Sequence, residues 1–391
     1  VSAPRRVATI FGTRPEAVKM APVVAALRAA PDLVPVVLVT AQHREMLDQV
    51  LGVFGITPDR DLDIMQPEQT LVDIATRALQ GLAAALAELR PDLVVVQGDA
   101  HTTFIGALAA YYQRIPVAHV EAGLRTADKY QPFPEEMNRR MTTALADLHF
   151  PPTAWARENL LREGVPPERI FLTGNTVIDA LQAIRARGVA PPADLPDLGG
   201  RRLVLVTTHR REHWGEPLRQ IYLALLDLLE QFPDIAVVFS VHPNPAVRRV
   251  VTAVLDGHPR AHLIEPPEYA PFVALMERAY LILTDSGGIQ EEAPALGRPV
   301  LVLREKTERP EGVAAGTARL VGTDRARIVA EAARLLSDPA AHAAMARARN
   351  PYGDGRAAER IVQAIRYWFG LTPHPPTPFG QPAGTDGPPL P

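Results

Sequence analysis

Leu281–Gly297 reads LILTDSGGIQEEAPALG. Its apolar start has the composition of a buried strand, Ser286-Gly287-Gly288 makes a tight turn, and Ile289 onward reads as a helix. A strand that passes into a helix through glycines opens a βαβ unit. The helix N-terminus, with unpaired N–H groups at the positive end of its dipole, suits a phosphate. Glu291 and Glu292 sit just beyond it. An acidic side chain in that position accepts from ribose hydroxyls while backbone N–H groups hold the phosphates. The stretch therefore predicts a nucleoside diphosphate site made of Ser286, Gly287, Gly288 and either Glu291 or Glu292. Neither the G-x-x-x-x-G-K-[ST] loop nor a G-x-G-x-x-G fingerprint is present to suggest a nucleotide hydrolase or a dinucleotide enzyme.

The same alternation runs outward through the chain. RRVATIF, VPVVLVT, DLVVVQ, PVAHV and LHFPP read as strands between helical patterns, and RRLVLVTT, IAVVFSV, AHLIEP, YLILTD and PVLVL repeat the scheme after the Pro/Gly-rich connector VAPPADLPDLGG. Continuous apolar runs joined by helices mark parallel sheets covered on both faces. The predicted fold is α/β, with two Rossmann-like doubly wound domains facing across a cleft. The first covers residues 1–175 and the second 176–352. The Pro-rich tail 371–391 is expected to be disordered.

Composition bounds the function. A net charge of −3 gives no general attraction to nucleic acid or to a membrane surface, and no apolar run reaches spanning length. The first residues enter a strand pattern rather than a signal peptide, so a cytoplasmic enzyme is expected. Without cysteine, disulfides, thiol catalysis and cysteine-based metal sites are excluded. Only Lys19, Lys129 and Lys306 are lysine; arginine carries nearly all the basic charge, as an arginine-favouring genome would dictate.

Ligands of open α/β sheets bind beyond the carboxyl ends of the strands, so the residues there matter most. After the first strand come Gly12, Thr13 and Arg14, with Lys19 further along the helix. After DLVVVQ comes Asp99, either an N-cap of the next helix or a catalytic carboxylate. Glu121 follows PVAHV, where capping explains it poorly. PFPEEMNRR then places Glu135, Glu136, Arg139 and Arg140 at a helix start. Asp99, Glu121 and Glu135 make a rim of carboxyls, and crowded carboxyls raise one another's pKa toward acid/base work. In the second half His209 follows a strand. His209–His213 matches the H-x-x-E-H zinc string, but glycine and proline break the helix a zinc site needs and two arginines oppose a cation, so no metal is expected. Arginines beside His209 suit an anion, with His209 as proton carrier. His242, at another strand end, reads equally as a turn cap or a ligand contact.

These strings together resemble the non-hydrolysing UDP-N-acetylglucosamine 2-epimerases of bacteria. The resemblance rests on FGTRPEAVKMAP, TAQHREMLDQVL, HVEAGLRT, PEEMNR, FLTGNTVIDAL, THRRE, LTDSGGIQEEAPALGRPVLVLR, TERPEGVAAGT and NPYGDGRAAERI, and covers the chain to about Gly370. It implies the GT-B fold, with a last helix (about 353–369) that completes the N-terminal domain, and usually a homodimer. It implies reversible conversion of UDP-GlcNAc to UDP-ManNAc through 2-acetamidoglucal, for cell-envelope polysaccharides, without metal or other cofactor. Asp99, Glu121, Glu135 and His209 match the family's catalytic positions. Arg14, Lys19, Arg139, Ser286, Gly287, Gly288 and Glu292 match substrate-binding ones, Glu292 on the ribose. Gln42, Gln69, Arg210 and His242 match a second, activating UDP-GlcNAc site. A GT-B glycosyltransferase, a hydrolysing epimerase and a non-catalytic UDP-sugar sensor are the rival readings.

Three departures from the pattern matter. Gln97-Gly98-Asp99-Ala100-His101 stands where His-Gly-Asp-Thr-Thr is usual. His213 replaces an asparagine or serine. Glu45 and Glu68 replace a glutamine and an arginine of regulated members, removing positive charge near the activator's diphosphate.

Overall fold

The computed structural model describes residues 3–41, 44–66, 69–210 and 213–380, the side chains of Glu45 and Met46 not included. The chain forms two compact units, Val1–Ala180 with Gly353–Pro391, and Leu181–Tyr352.

In the first unit the strands are β1 (Arg5–Phe11), β2 (Leu33–Val39), β3 (Arg60–Asp61), β4 (Leu93–Gln97), β5 (Val117–Val120) and β6 (Leu148–Phe150). They form one parallel sheet in the order β3-β2-β1-β4-β5-β6. Its helices are α1 (Arg14–Ala29), α2 (Arg44–Phe54), α3 (Leu71–Leu89), α4 (His101–Tyr112), α5 (Glu135–Leu145), α6 (Ala154–Arg162) and α7 (Thr176–Ala186), within which the units divide. Leu38, Val94 and Val96 of the sheet pack with Leu82 and Leu86 of α3 in a core closed to water.

The second unit repeats this plan. Its strands are β7 (Arg202–Thr208), β8 (Ile235–Val241), β9 (Ala261–Ile264), β10 (Ala279–Thr284), β11 (Val300–Val302) and β12 (Ala318–Leu320). They lie parallel in the order β12-β11-β10-β7-β8-β9. The helices are α8 (Glu216–Gln231), α9 (Pro245–Leu255), α10 (Tyr269–Arg278), α11 (Gly287–Ala295), α12 (Pro310–Ala314), α13 (Arg325–Ser337) and α14 (Pro339–Ala346). Leu225 of α8 joins Val204 and Phe239 in the core, and the ring of Tyr222 meets that of Phe239 edge-on at 5.3 Å. Both units are therefore doubly wound α/β layers with the same strand order. Sequence periodicity missed β3 and β12, edge strands too short to show any alternation.

Strand order reverses between β1 and β4 in one sheet and between β7 and β10 in the other. At such switch points the loops diverge to opposite faces and leave a crevice for a ligand. The loops after these strands carry Gly12–Arg14, Asp99, His209 and Ser286–Gly288.

The last helix, α15 (Ala357–Trp368), belongs to the first unit. Its N-terminal N–H groups are capped from a distance: Asp179 of α7 accepts from Ala357 N at 3.2 Å and Ala358 N at 2.8 Å. Arg360 extends from α15 to the Thr173 carbonyl (3.0 Å) and to Asp354 (2.6 Å). Residues 371–380 contradict the disorder expected from their composition. Arg360 donates to the Thr377 carbonyl at 3.1 Å, and Phe379 N donates to the Leu172 carbonyl at 2.8 Å. The Arg360 guanidinium also lies over the Phe379 ring at 5.7 Å. Proline suppresses regular structure, yet an extended segment needs only a few outside donors and one aromatic anchor to be held. Residues 381–391 lie outside the described residues.

Burial pushes the Asp179 carboxyl up to about 6, against the two N–H bonds that lower it. Between about pH 4 and pH 6 the folded chain keeps a proton that the unfolded chain has released. Asp179's contribution to stability is thus complete below about pH 4 and lost as pH rises through about 6. Asp179→Asn should gain on the wild type by roughly 2–3 kcal/mol between pH 4 and pH 7 in urea unfolding. A difference that stays constant over that range would clear Asp179 of the effect.

Candidate active site

The first unit's rim starts at the end of β1. Thr13 caps α1 and Glu16 closes the capping box. Glu16 is buried, and its carboxylate accepts from Gly12 N (3.0 Å), Thr13 N (2.8 Å) and the Thr103 hydroxyl of α4 (3.1 Å). Burial raises its pKa despite these donors. Gly12 has to be glycine, since a Cβ there would lie 2.0 Å from Thr40 Oγ1 and 2.7 Å from Thr102 Oγ1, themselves hydrogen-bonded at 2.9 Å. Arg14 is exposed on the first turn of α1 and makes no ion pair among the described residues.

Asp99 and Glu121 are each held by a cation. Arg139 of α5 donates Nε (2.8 Å) and Nη2 (2.5 Å) to Asp99 Oδ2. The capping alternative fails, because Ala100 is the N-cap of α4. Lys19 Nζ spans both oxygens of Glu121 at 2.7 and 2.5 Å, and Gln97 Nε2 donates to Oε2 as well. The Gln97 departure thus bears directly on Glu121. Glu121 also has φ 61°, a left-handed backbone that a non-glycine residue adopts at a cost of order 1 kcal/mol. Two residues on, Gly123 has φ 89°, and a Cβ there would lie 2.2 Å from the Ala156 carbonyl oxygen.

The adjacent Glu135 and Glu136 divide in role. Glu136 is fully buried and serves as counter-ion to Arg139 and Arg140, both at 3.2 Å. Glu135 makes no such ion pair among the described residues, and its Oε2 is buried without a hydrogen-bond partner. Burial raises its pKa; the nearby charge of Asp99 adds to the rise and Arg139 opposes it. The rim therefore combines two cation-paired carboxylates with a third group biased toward its neutral acid form. His101, in the departing stretch, opens α4 half-buried, and burial lowers its pKa.

In the second unit the loop after β7 folds onto Asp285, which follows β10 and is fully buried. The carboxylate accepts from His209 N (3.1 and 3.0 Å) and Arg210 N (3.0 Å). The ring Nδ1 of His209 is 2.9 Å from Oδ1 and that of His213 is 3.3 Å from Oδ2. Burial alone would raise the Asp285 pKa, but the two nearby imidazole rings and the Arg210 N–H hold it well below the carboxylate range. The two histidines of the zinc-like string thus turn to one aspartate, while its Arg211 and Glu212 lie outside the described residues.

Ser286 is the N-cap of α11, with Gly287 and Gly288 in its first turn. A Cβ on Gly287 would lie 2.5 Å from Arg309 Nη1, so a guanidinium stands directly over the turn. Arg309 Nε bonds Glu291 at 2.6 Å, whereas Glu292 accepts from the Tyr269 hydroxyl at 2.8 Å. The side chains left open by sequence are thereby separated: Glu291 faces a cation and Glu292 a hydroxyl. Glu308 gathers Arg304 (2.6 Å), Arg309 (3.0 Å) and Arg210 (3.2 Å). Burial would raise its pKa, but the Arg309 and Arg304 charges lower it to about 2.

Of the residues matched to an activator site, Gln42 lies outside the described residues. Gln69 donates to the Ile64 carbonyl (3.1 Å), and Arg210 is engaged with Glu308. His242 accepts from Asn244 N (3.2 Å), the turn-capping contact, while its ring stacks on that of His209 at 6.2 Å. Sequence reasoning missed Glu16, Gln97, Asp285, Arg304, Glu308 and Arg309 as site residues. Asp285 was findable, being a carboxylate at a strand end like Glu121.

A family model described as UDP-N-acetylglucosamine 2-epimerase matches residues 25–366. An Escherichia coli K12 protein named UDP-N-acetylglucosamine 2-epimerase is 55% identical over 92% of this chain and 98% of its own. The chain belongs to the UDP-N-acetylglucosamine 2-epimerase family. It is accordingly an isomerase. Solved epimerase structures agree in fold. A Neisseria meningitidis epimerase bound to UDP-GlcNAc is 47% identical, with TM-score 0.86, covering 93% of this chain and 100% of that one. An S. aureus protein solved with UDP is 45% identical, with TM-score 0.89, covering 96% and 100%. The chain thus has the two Rossmann-like units of the GT-B class of epimerases.

The rim's electrostatics give two substitutions opposite signs. Glu135 has a raised pKa, so its stabilising contribution is present at low pH and lost as pH rises. Glu135→Gln should therefore melt no lower than the wild type at pH 8. Asp99→Asn, which takes the charged acceptor from Arg139, should lower stability by about 1–3 kcal/mol. Thermal melts at pH 8 compare them; equal losses would contradict the division of roles on this rim.

Proposed function

We propose that the chain interconverts UDP-GlcNAc and UDP-ManNAc by eliminating UDP and adding it back. The observation that carries this reading is the unequal rim: Asp99 paired with Arg139, Glu121 paired with Lys19, and Glu135 raised toward its acid form. Epimerisation at C2 takes a proton from one face of the carbon and returns one to the other, so it needs both an ionised and a protonated carboxyl. A single base suffices for sugar transfer to an acceptor.

In the forward direction the C1–O bond breaks and its electron pair leaves with UDP. The C2–H bond supplies the pair for the C1=C2 double bond of 2-acetamidoglucal, and the proton passes to an ionised carboxylate, Asp99 or Glu121. In the return step a carboxylic acid delivers a proton to the opposite face of C2 while the diphosphate oxygen bonds C1 again. Glu135 fits that acid role. His209, as imidazolium, donates a proton toward the diphosphate as it departs and recovers it on re-addition. Ser286, Gly287 and Gly288 hold phosphate with backbone and hydroxyl donors, Glu292 accepts from the ribose, and Arg14 supplies an exposed cation. The relatives solved with UDP-GlcNAc and UDP support the choice of ligand. In this reading the enzyme acts in the cytoplasm as a homodimer and supplies UDP-ManNAc for cell-envelope polysaccharides.

Incubation with UDP-GlcNAc in D₂O tests the reaction. Intact UDP-ManNAc carrying deuterium at C2 is expected; unlabelled product, or free ManNAc alone, would refute it. The assignment of residues has its own check by calorimetry and turnover. Asp99→Asn should reduce turnover by about 100-fold or more with UDP affinity nearly unchanged. Glu292→Gln should instead weaken UDP by about 1–3 kcal/mol. Matching losses of affinity would show that the roles are wrongly divided.

A further inference from the structure

We propose that Asp285 is a positioning residue that fixes the imidazole of His209 with Nδ1 protonated and Nε2 turned to the substrate. The inference deepens the proposed function and rests on its assignment of His209.

Asp285 is fully buried, while the His209 side chain is 40% exposed, so one edge of the ring is committed inward and the other is open. The inward edge is Nδ1, 2.9 Å from Asp285 Oδ1. An ionised carboxylate can only accept, so the nitrogen facing it must carry hydrogen. The opposite tautomer would set a lone pair against a buried negative charge. Nε2 is left to receive a proton and, once protonated, to donate it outward, and the fixed carboxylate stabilises the resulting imidazolium. This is the arrangement by which a buried aspartate serves a catalytic histidine without touching substrate.

The carboxylate is itself immobilised. It accepts from the backbone N–H of His209 (3.1 and 3.0 Å) and of Arg210 (3.0 Å), so the same group sets the path of the main chain and the tilt of the ring. Other groups press on the pair from each neighbouring element. His213 Nδ1 lies 3.3 Å from the second oxygen, the His242 ring stacks on His209 at 6.2 Å, and Arg210 is tied away to Glu308 at 3.2 Å. The Tyr222 hydroxyl, bonded to Thr208 at 2.9 Å, feels the charge of Asp285, and Arg248 bears on His242. None of these presents another anion to His209 Nδ1 in place of Asp285.

An alternative role for Asp285 is purely structural, as an anchor for two N–H groups. Histidine-selective ¹⁵N NMR of the full chain, with His209→Gln to assign the signal, separates the two. The wild-type neutral ring should carry its proton on Nδ1. Asp285→Asn should move part of the population to Nε2–H, with kcat falling about tenfold or more and KM changing less than about threefold. In the His209→Gln background the same substitution should cause no further loss of kcat. A wild-type ring protonated on Nε2 would overturn the proposal, and that measurement stands even if Asp285→Asn fails to fold. So would full kcat in Asp285→Asn where His209→Gln is inactive. If His209→Gln keeps full turnover, the assigned role of His209 is what fails, and the tautomer still reports whether Asp285 holds the ring.

Discussion

A buried carboxylate ties together the two loops that part at the switch point of each sheet. In the first unit Glu16 bonds the turn after β1 to Thr103 of α4, whose strand is β4. In the second, Asp285 after β10 takes the backbone of His209 and Arg210 after β7. Parallel sheets end in unpaired backbone groups at such forks, and burying them unsatisfied would cost on the order of 1–3 kcal/mol each. An anion that accepts several N–H bonds at once meets that need and makes the loop geometry single-valued. Arg14, Lys19, Asp99, His209 and the Ser286–Gly288 turn are carried on loops fixed in this way or on the helices that follow them, whereas Glu121 and Glu135 come after β5.

Charge is then distributed by adjacency in space rather than in sequence. Glu135 and Glu136 are neighbours, yet Glu136 is a buried counter-ion and Glu135 makes no ion pair among the described residues. Glu291 and Glu292 separate likewise, toward Arg309 and Tyr269. On a helix, consecutive side chains point about 100° apart, so a doubled acidic residue can serve a structural and a chemical purpose at once.

Much of this was legible in the chain. Apolar runs of buried strands, glycines at the turns and carboxylates at strand ends identified the two sheets and the residues at their carboxyl ends. What escaped has common causes. The edge strands β3 and β12 are too short for a period to register. Glu308, Arg304 and Arg309 lie past a strand end in REKTERPE, where charge density reads as a solvated loop until Arg210 is brought to Glu308 from elsewhere in the unit. Asp285 is hidden by its context, because the Ser286-Gly287-Gly288 turn after it reads as a phosphate site by itself. Residues 371–380 are held by Arg360 and Gln363 of α15 and by the Leu172 carbonyl, and composition carries no information about such partners.

The scarcity of lysine has a practical side. Lys19 lies largely enclosed against Glu121, whereas Lys129 and Lys306 are exposed. Reagents that acylate amines will therefore find few side chains on the surface, one in each unit. Coupling to a bead or a dye through those two positions would attach the molecule in a small number of defined orientations, with the amine of the first unit's rim shielded by its ion pair.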